Sequence, residues 1–246
     1  MCAHQTRDST CSARHFICPR ACAHQSFSRA RLNARLADDV FRDVLAEEGF
    51  DGGRPISEAF FREKISGRSN AAICADLFPQ KSVAEAEAFS AHKEQCFRDL
   101  AASQLSKLTT PGLEQLIDWI ERTGVRTAAV TNAPRPNAEL MLRSIGRLEW
   151  FETLVIGDEC TAAKPDPEPY LAAMRRLGLE PAQCVALEDS PSGAAAAVAA
   201  GVRTIGILST QPAEALTRAG CITLVDDFND ERLWSALGAS APEPLA

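Results

Sequence analysis

At 246 residues, 46% of them hydrophobic, the chain is long enough to enclose one sizeable core with room for a smaller inserted lobe. It contains no unbroken apolar run of membrane-spanning length. The formal net charge of −7, with no Lys/Arg run interleaved with aromatics, argues against a nucleic-acid surface.

That average hides an asymmetry: residues 1–36 hold six arginines and one aspartate, about +5, leaving roughly −12 on the rest. This head mixes Arg, Ser, His and Cys without a sustained apolar period. It reads first as a non-native start, second as a leader resembling an organelle transit peptide. A third reading, zinc held by His15, Cys18, Cys22 and His24, fits no standard four-ligand spacing. The one strand-like fragment is 15–18, which Pro19 stops. No cysteine has the arginine at the C-x5-R offset of a cysteine phosphatase. Cys74, Cys96, Cys160, Cys184 and Cys221 lie singly in apolar segments, as small buried hydrophobes. That suggests a reducing, intracellular setting: cytoplasmic, or an organelle if the head is a transit peptide.

Residues 37–108 read as an all-α lobe. Val40, Phe41, Val44, Leu45 and Phe50 form a helical stripe that breaks at Gly52-Gly53. A second helix over 58–64 ends at Ser66-Gly67, and a short one follows the loop 66–70. Ser82 and Glu85 then form a capping-box pair ahead of a long helix with Phe89, Cys96, Phe97 and Leu100 on one face. Arg68, in the loop, is a candidate contact for an anionic substrate or, alternatively, a solvated arginine.

Residues 109–246 alternate strands and helices. Thr110-Pro111 predicts a helix start, closed by Gly124. Strands are expected at 125–130, 154–156, 184–187, 202–207 and 222–225. Helices are expected from 137, and over 169–177, 192–200 and 213–219. This alternation implies a doubly wound parallel sheet, in which chemistry gathers at the carboxyl ends of the strands.

The polar residues after those strands suit a phosphate. Thr131-Asn132 before a helix N-terminus can hold a phosphate oxygen, although Thr-Asn is also ordinary turn chemistry. Lys164, flanked by prolines, reads as a placed charge or as a solvated surface lysine. Glu188 and Asp189 at a buried strand's end need a cation, and Mg²⁺ is the hard-oxygen choice. A helix cap by Asp189 or Ser190 is the alternative for that pair.

In this order, TNAPR, KPDPEPY and LEDSPSG resemble the haloacid dehalogenase superfamily, in its sugar-phosphate phosphatase and β-phosphoglucomutase-like branch. The resemblance runs from about residue 41 to 234, with EEGF…ISGRSN at the position of the family's cap loop. It implies a Rossmannoid α/β core (109–246) with an inserted α-helical cap (37–108). It also implies that Thr131 and Asn132 grip the transferring phosphoryl group, that Lys164 offsets charge, and that Glu188 and Asp189 hold Mg²⁺. A true dehalogenase has less need of this acidic pair, so the resemblance points to phosphate chemistry. The implied partner is a small phosphorylated metabolite, with no nucleic acid and no membrane.

One part of the pattern is missing. The family's first motif, Asp-x-Asp-Gly-Thr, should precede the cap helix near 25–29, where the chain reads Gln25-Ser26-Phe27-Ser28-Arg29. Asp38 and Asp39 are expected in the first turn of the cap helix, and the Cys18 thiolate cannot bridge Mg²⁺ and phosphorus as an aspartate does. The nucleophile and the central first strand are therefore expected to be absent or replaced, through an altered or mispredicted gene start. Such a chain would be a phosphatase-type hydrolase without turnover. The alternatives are a non-catalytic sugar-phosphate-binding protein and a β-phosphoglucomutase-like mutase.

Overall fold

The computed structural model describes residues 15–19, 27–66, 68–102, 111–209 and 211–241, with side-chain environments from residue 37 onward. In chain order the elements are β1 (His15–Pro19), α1 (Phe27–Glu47), α2 (Asn70–Leu77), α3 (Val83–Ala102), α4 (Leu113–Thr123), β2 (Thr127–Thr131), α5 (Arg135–Ser144) and β3 (Thr153–Ile156). They continue with α6 (Glu168–Leu177), β4 (Cys184–Glu188), α7 (Pro191–Ala199), β5 (Arg203–Ile207), α8 (Ala213–Arg218), β6 (Thr223–Val225) and α9 (Glu231–Leu237). A short helix, Glu58–Phe60, runs on into a π-helical turn, Phe61–Ile65, between α1 and α2.

Six parallel strands form one sheet in the order β3-β2-β1-β4-β5-β6. Parallel sheets are covered on both faces, and β2 and β4 are accordingly buried along their whole length. Alternation along β4 divides the core. Val185 and Leu187 join Leu116, Ile117, Leu233 and Trp234 on one face. Cys184 and Ala186 join Tyr170, Met174, Ala196 and Ala197 on the other.

The middle of the sheet departs from expectation. Position β1 is filled, so the central strand is replaced and not absent. Phe16 is in register with Thr127 on one side and with Val185 on the other. The neighbouring strands therefore keep their ladder partner, and the expected break in the sheet does not occur. Pro19, which has no N–H to give, stands at the last residue of the strand. The 1–36 segment set aside as a leader thus contributes β1 and the start of α1. Asp38 and Asp39 lie well inside α1 and not in its first turn; Asp38 is buried and pairs with Arg42 at 2.8 Å. Cys22, His24 and Gln25-Ser26 lie outside the described residues.

Helix α4 starts at Leu113, later than Thr110-Pro111 suggests. The Pro111 carbonyl accepts from the Phe228 N–H at 3.1 Å, and Gly112 turns with φ 79° tight against the Phe228–Asn229 backbone. Thr110 lies outside the described residues. Helix α9, which no sequence signal singled out, is capped by Asp230, whose side chain accepts from the Arg232 N–H at 2.9 Å.

The cap forms its own core, with Val40, Phe41, Val44 and Leu45 of α1 against Ile73, Phe78, Phe89 and Phe97. Its capping box is made: Ser82 N–H donates to Glu85 at 2.8 Å, and Glu85 N–H donates to the Ser82 hydroxyl at 3.4 Å. Contacts from α3 and from the 66–70 loop hold the cap over the carboxyl edge of the sheet. Glu94 of α3 accepts from Asn137 of α5, and Gln211, after β5, reaches Ser66 at 3.5 Å. Among the described residues, no helix is long and apolar enough to cross a membrane.

Candidate functional site

The chain runs outward from β1 through β2 to β3, then returns to β4 on the other side of β1. In such sheets the crevice at the switch point, beyond the strands' carboxyl ends, is where ligands bind. Thr131 ends β2 and Glu188 ends β4, so both stand at that crevice.

Thr131 is buried, and its hydroxyl accepts from the Ala133 N–H at 3.0 Å, which leaves its own proton to donate. Asn132 next to it faces across to the loop before α6. Its amide donates to the Lys164 carbonyl at 3.0 Å and accepts from the Lys164 N–H at 3.1 Å. Gly157, after β3, makes room for this: a methyl group there would overlap the Asn132 amide oxygen.

The Lys164 side chain is buried and closes the crevice from that loop. Its ammonium donates to the Val130 carbonyl at 3.0 Å and to Glu188 Oε1 at 2.7 Å. Glu188 is 1% exposed. Its Oε1 also accepts from the Tyr170 hydroxyl at 2.5 Å, and its Oε2 from Ser190 at 3.3 Å. Burying a carboxylate is costly unless it is paired and hydrogen-bonded, and here it is both. Gly193 completes the seat, because a side chain there would collide with the carboxylate. Ser190 caps α7, accepting from the Gly193 N–H at 3.1 Å. The capping role open to Asp189 or Ser190 therefore falls to Ser190. Asp189 is half-buried, and its Oδ2 accepts from Ser209 at 3.4 Å.

Thr131, Asn132, Lys164, Glu188 and Asp189 thus converge at one end of the sheet. Arg68 does not join them. Its guanidinium donates to the Lys64 and Ala72 carbonyls and pairs with Asp76 at 2.7 Å, all within the cap. Arg135 of TNAPR is likewise engaged by Glu159, at 2.7 and 2.6 Å.

Two features escaped the sequence reading. Tyr170 sits on the apolar face of α6, and nothing local shows that its hydroxyl meets Glu188. At the cap's underside, Glu94 is buried among Lys93, Asn70 (2.7 Å) and Asn137, and Arg98 donates to Asn137 at 3.0 Å. Lys93 on the Phe89–Phe97 stripe was the available signal, a charge at a core position. Asp158, after β3, faces this cluster. Withdrawal from water, then Glu94 and Glu159, raise its pKa above the ordinary aspartate value.

A doubly wound parallel sheet thus carries a helical lobe at its carboxyl end, where Thr131, Lys164, Glu188 and Asp189 gather. Residues 30–201 match the family model described as haloacid dehalogenase-like hydrolase. The chain belongs to this family. It is 36% identical to Protein CbbY of Rhodobacter capsulatus over 190 residues, 76% of either chain. It is 35% identical over 133 residues to validoxylamine A 7'-phosphate phosphatase of Streptomyces hygroscopicus subsp. limoneus, covering 54% of this chain and 61% of that protein. Among solved structures, β-phosphoglucomutase from Clostridium difficile superposes with a TM-score of 0.73 at 20% identity, covering 88% of this chain and 92% of that one; this likeness concerns the fold.

HAD-like hydrolases generally use Mg²⁺. The donors described here do not fit it as a protein-held ion. No three His, Cys, Asp or Glu side chains come together as a metal group among the described residues. Glu188 Oε1 is taken by Lys164 and Tyr170, and residues 20–26 after β1, Arg-Ala-Cys-Ala-His-Gln-Ser, contain no carboxylate.

Proposed function

We propose that the crevice receives the phosphoryl group of a small phosphorylated carbohydrate, and that this chain binds such monoesters with little or no hydrolysis. The observation that carries the reading is the convergence of Thr131, Asn132 and Lys164 beneath the cap, beside a central strand followed by no carboxylate. The Thr131 proton and the remaining Lys164 N–H are donors for phosphoryl oxygens, and α5 begins just beyond them. The names of the relatives, a phosphate phosphatase among them, support a phosphorylated ligand. In the family reaction Mg²⁺ offsets the charge of the phosphoryl group, and the resemblance assigns it to Asp189 and Glu188. An aspartate nucleophile splits that reaction into two easier steps, and losing a nucleophile commonly costs several powers of ten in rate.

Calorimetric titration of the full chain with small sugar phosphates tests the binding half of this reading. Saturable binding that is lost in Thr131→Val and in Lys164→Ala supports it. Absence of binding to any phosphorylated sugar, or binding untouched by both substitutions, would contradict it.

A further inference from the structure

Glu188 is enclosed on every side that the structure defines. Lys164 and Tyr170 donate to Oε1 at 2.7 and 2.5 Å, Ser190 donates to Oε2 at 3.3 Å, and the Gly193 backbone lies against the group. Charge-assisted bonds this short are the strong ones. Magnesium dehydrates reluctantly and usually keeps several waters when bound, so a ligand carboxylate has to open onto solvent. At 1% exposure, Glu188 does not. A metal at Oε1 would have to break the bonds to the lysine and the phenol, which would leave a buried ammonium uncompensated, and Oε2, bonded to Ser190, has the Gly193 backbone against it.

We infer that Glu188 in this chain is the fixed counter-charge of Lys164 and not a metal ligand, with Tyr170 as the positioning residue that holds the carboxylate on the lysine. The inference rests on the phosphoryl-site reading above but concerns the metal alone. Tyr170 is fully buried on α6, whose Met174 and Leu177 pack into the sheet, so its hydroxyl is delivered from a rigid element.

The test uses the fact that the chain contains a single tyrosine. Tyrosine labelled with ¹³C at Cζ gives one resonance, which needs no assignment and reports on the Tyr170 hydroxyl. In the full chain its position is expected to be the same in millimolar MgCl2 and in EDTA, and Glu188→Gln is expected to move it. Lys164→Met keeps the carboxylate but removes the competing donor at Oε1. It is also expected to move the resonance, and it serves if Glu188→Gln does not fold. A saturable Mg²⁺-dependent shift in the wild-type chain would overturn the inference, as would a resonance indifferent to the substitutions. No sugar phosphate is present, so this result stands apart from the binding experiment, and either can fail alone.

Discussion

Asn132 and Lys164 are joined by a reciprocal pair of hydrogen bonds, 3.0 and 3.1 Å, between one side-chain amide and one backbone unit. The loop after β2 is thereby fixed to the loop before α6, and the lysine enters the crevice from a defined origin. Asn132→Ala removes both bonds, and at about 1 kcal/mol each the expected loss is roughly 2 kcal/mol in urea unfolding. Asn132→Asp keeps the acceptor but sets a carboxylate oxygen against the Lys164 carbonyl, and is expected to lose at least as much.

Gly193 and Glu188 are coupled by space alone. An alanine at 193 has to evict a buried, lysine-paired carboxylate, so Gly193→Ala is expected to cost about 3 kcal/mol. In a Glu188→Ala background the space is open, and the same substitution is expected to cost less than about 1 kcal/mol. Equal costs in the two backgrounds would contradict the packing described.

Under the cap, Glu94 is the acceptor on which Asn70, Lys93 and Asn137 converge. Glu94→Ala leaves Lys93 buried beside the Phe41 ring, 4.9 Å away, and the expected loss is about 3 kcal/mol. Replacing both charges, as Lys93→Met with Glu94→Gln, is expected to restore most of it. Urea denaturation of the three proteins measures the difference.

Asp158, an exposed residue beside β3, is expected to give the folded chain a small pH response. Its folded-state pKa lies above the ordinary 3.8, through withdrawal from water and then the nearby Glu94 and Glu159. The folded state therefore holds the proton more tightly than the unfolded chain does. That contribution is fully present below pH 3.8 and is lost as pH rises through the raised folded value. Asp158→Asn is expected to raise Tm at neutral pH, with the gain shrinking toward acid pH. A gain that grows in acid would refute this sign.

Much of the site was legible because strand–helix alternation places Thr131, Glu188 and Asp189 at strand ends, where such sheets collect polar groups, and Lys164 in the loop between β3 and α6. What was not legible depends on tertiary partners. Strand β1 is five residues ending in proline, too short to show a period; only its neighbours β2 and β4 make it a central strand. The helix start at Thr110-Pro111 gave way because Phe228, far along the chain, takes the Pro111 carbonyl. Arg68 looked available for a ligand until the carbonyls of Lys64 and Ala72 were seen to fill its guanidinium. Tyr170 drew no reading, because a hydroxyl at the end of a core ring leaves no trace in periodicity. Gly193 ends the LEDSPSG motif and Gly157 follows β3, but the reason for each is the side chain that it admits.

The most direct measurement is phosphate release by the purified full chain from small sugar phosphates and p-nitrophenyl phosphate, with and without Mg²⁺. With no carboxylate after β1 and Glu188 held by Lys164 and Tyr170, release is expected at the buffer rate under both conditions. Metal-dependent turnover that disappears in Lys164→Ala would contradict this, because it would show that a nucleophile and a metal site operate in this chain.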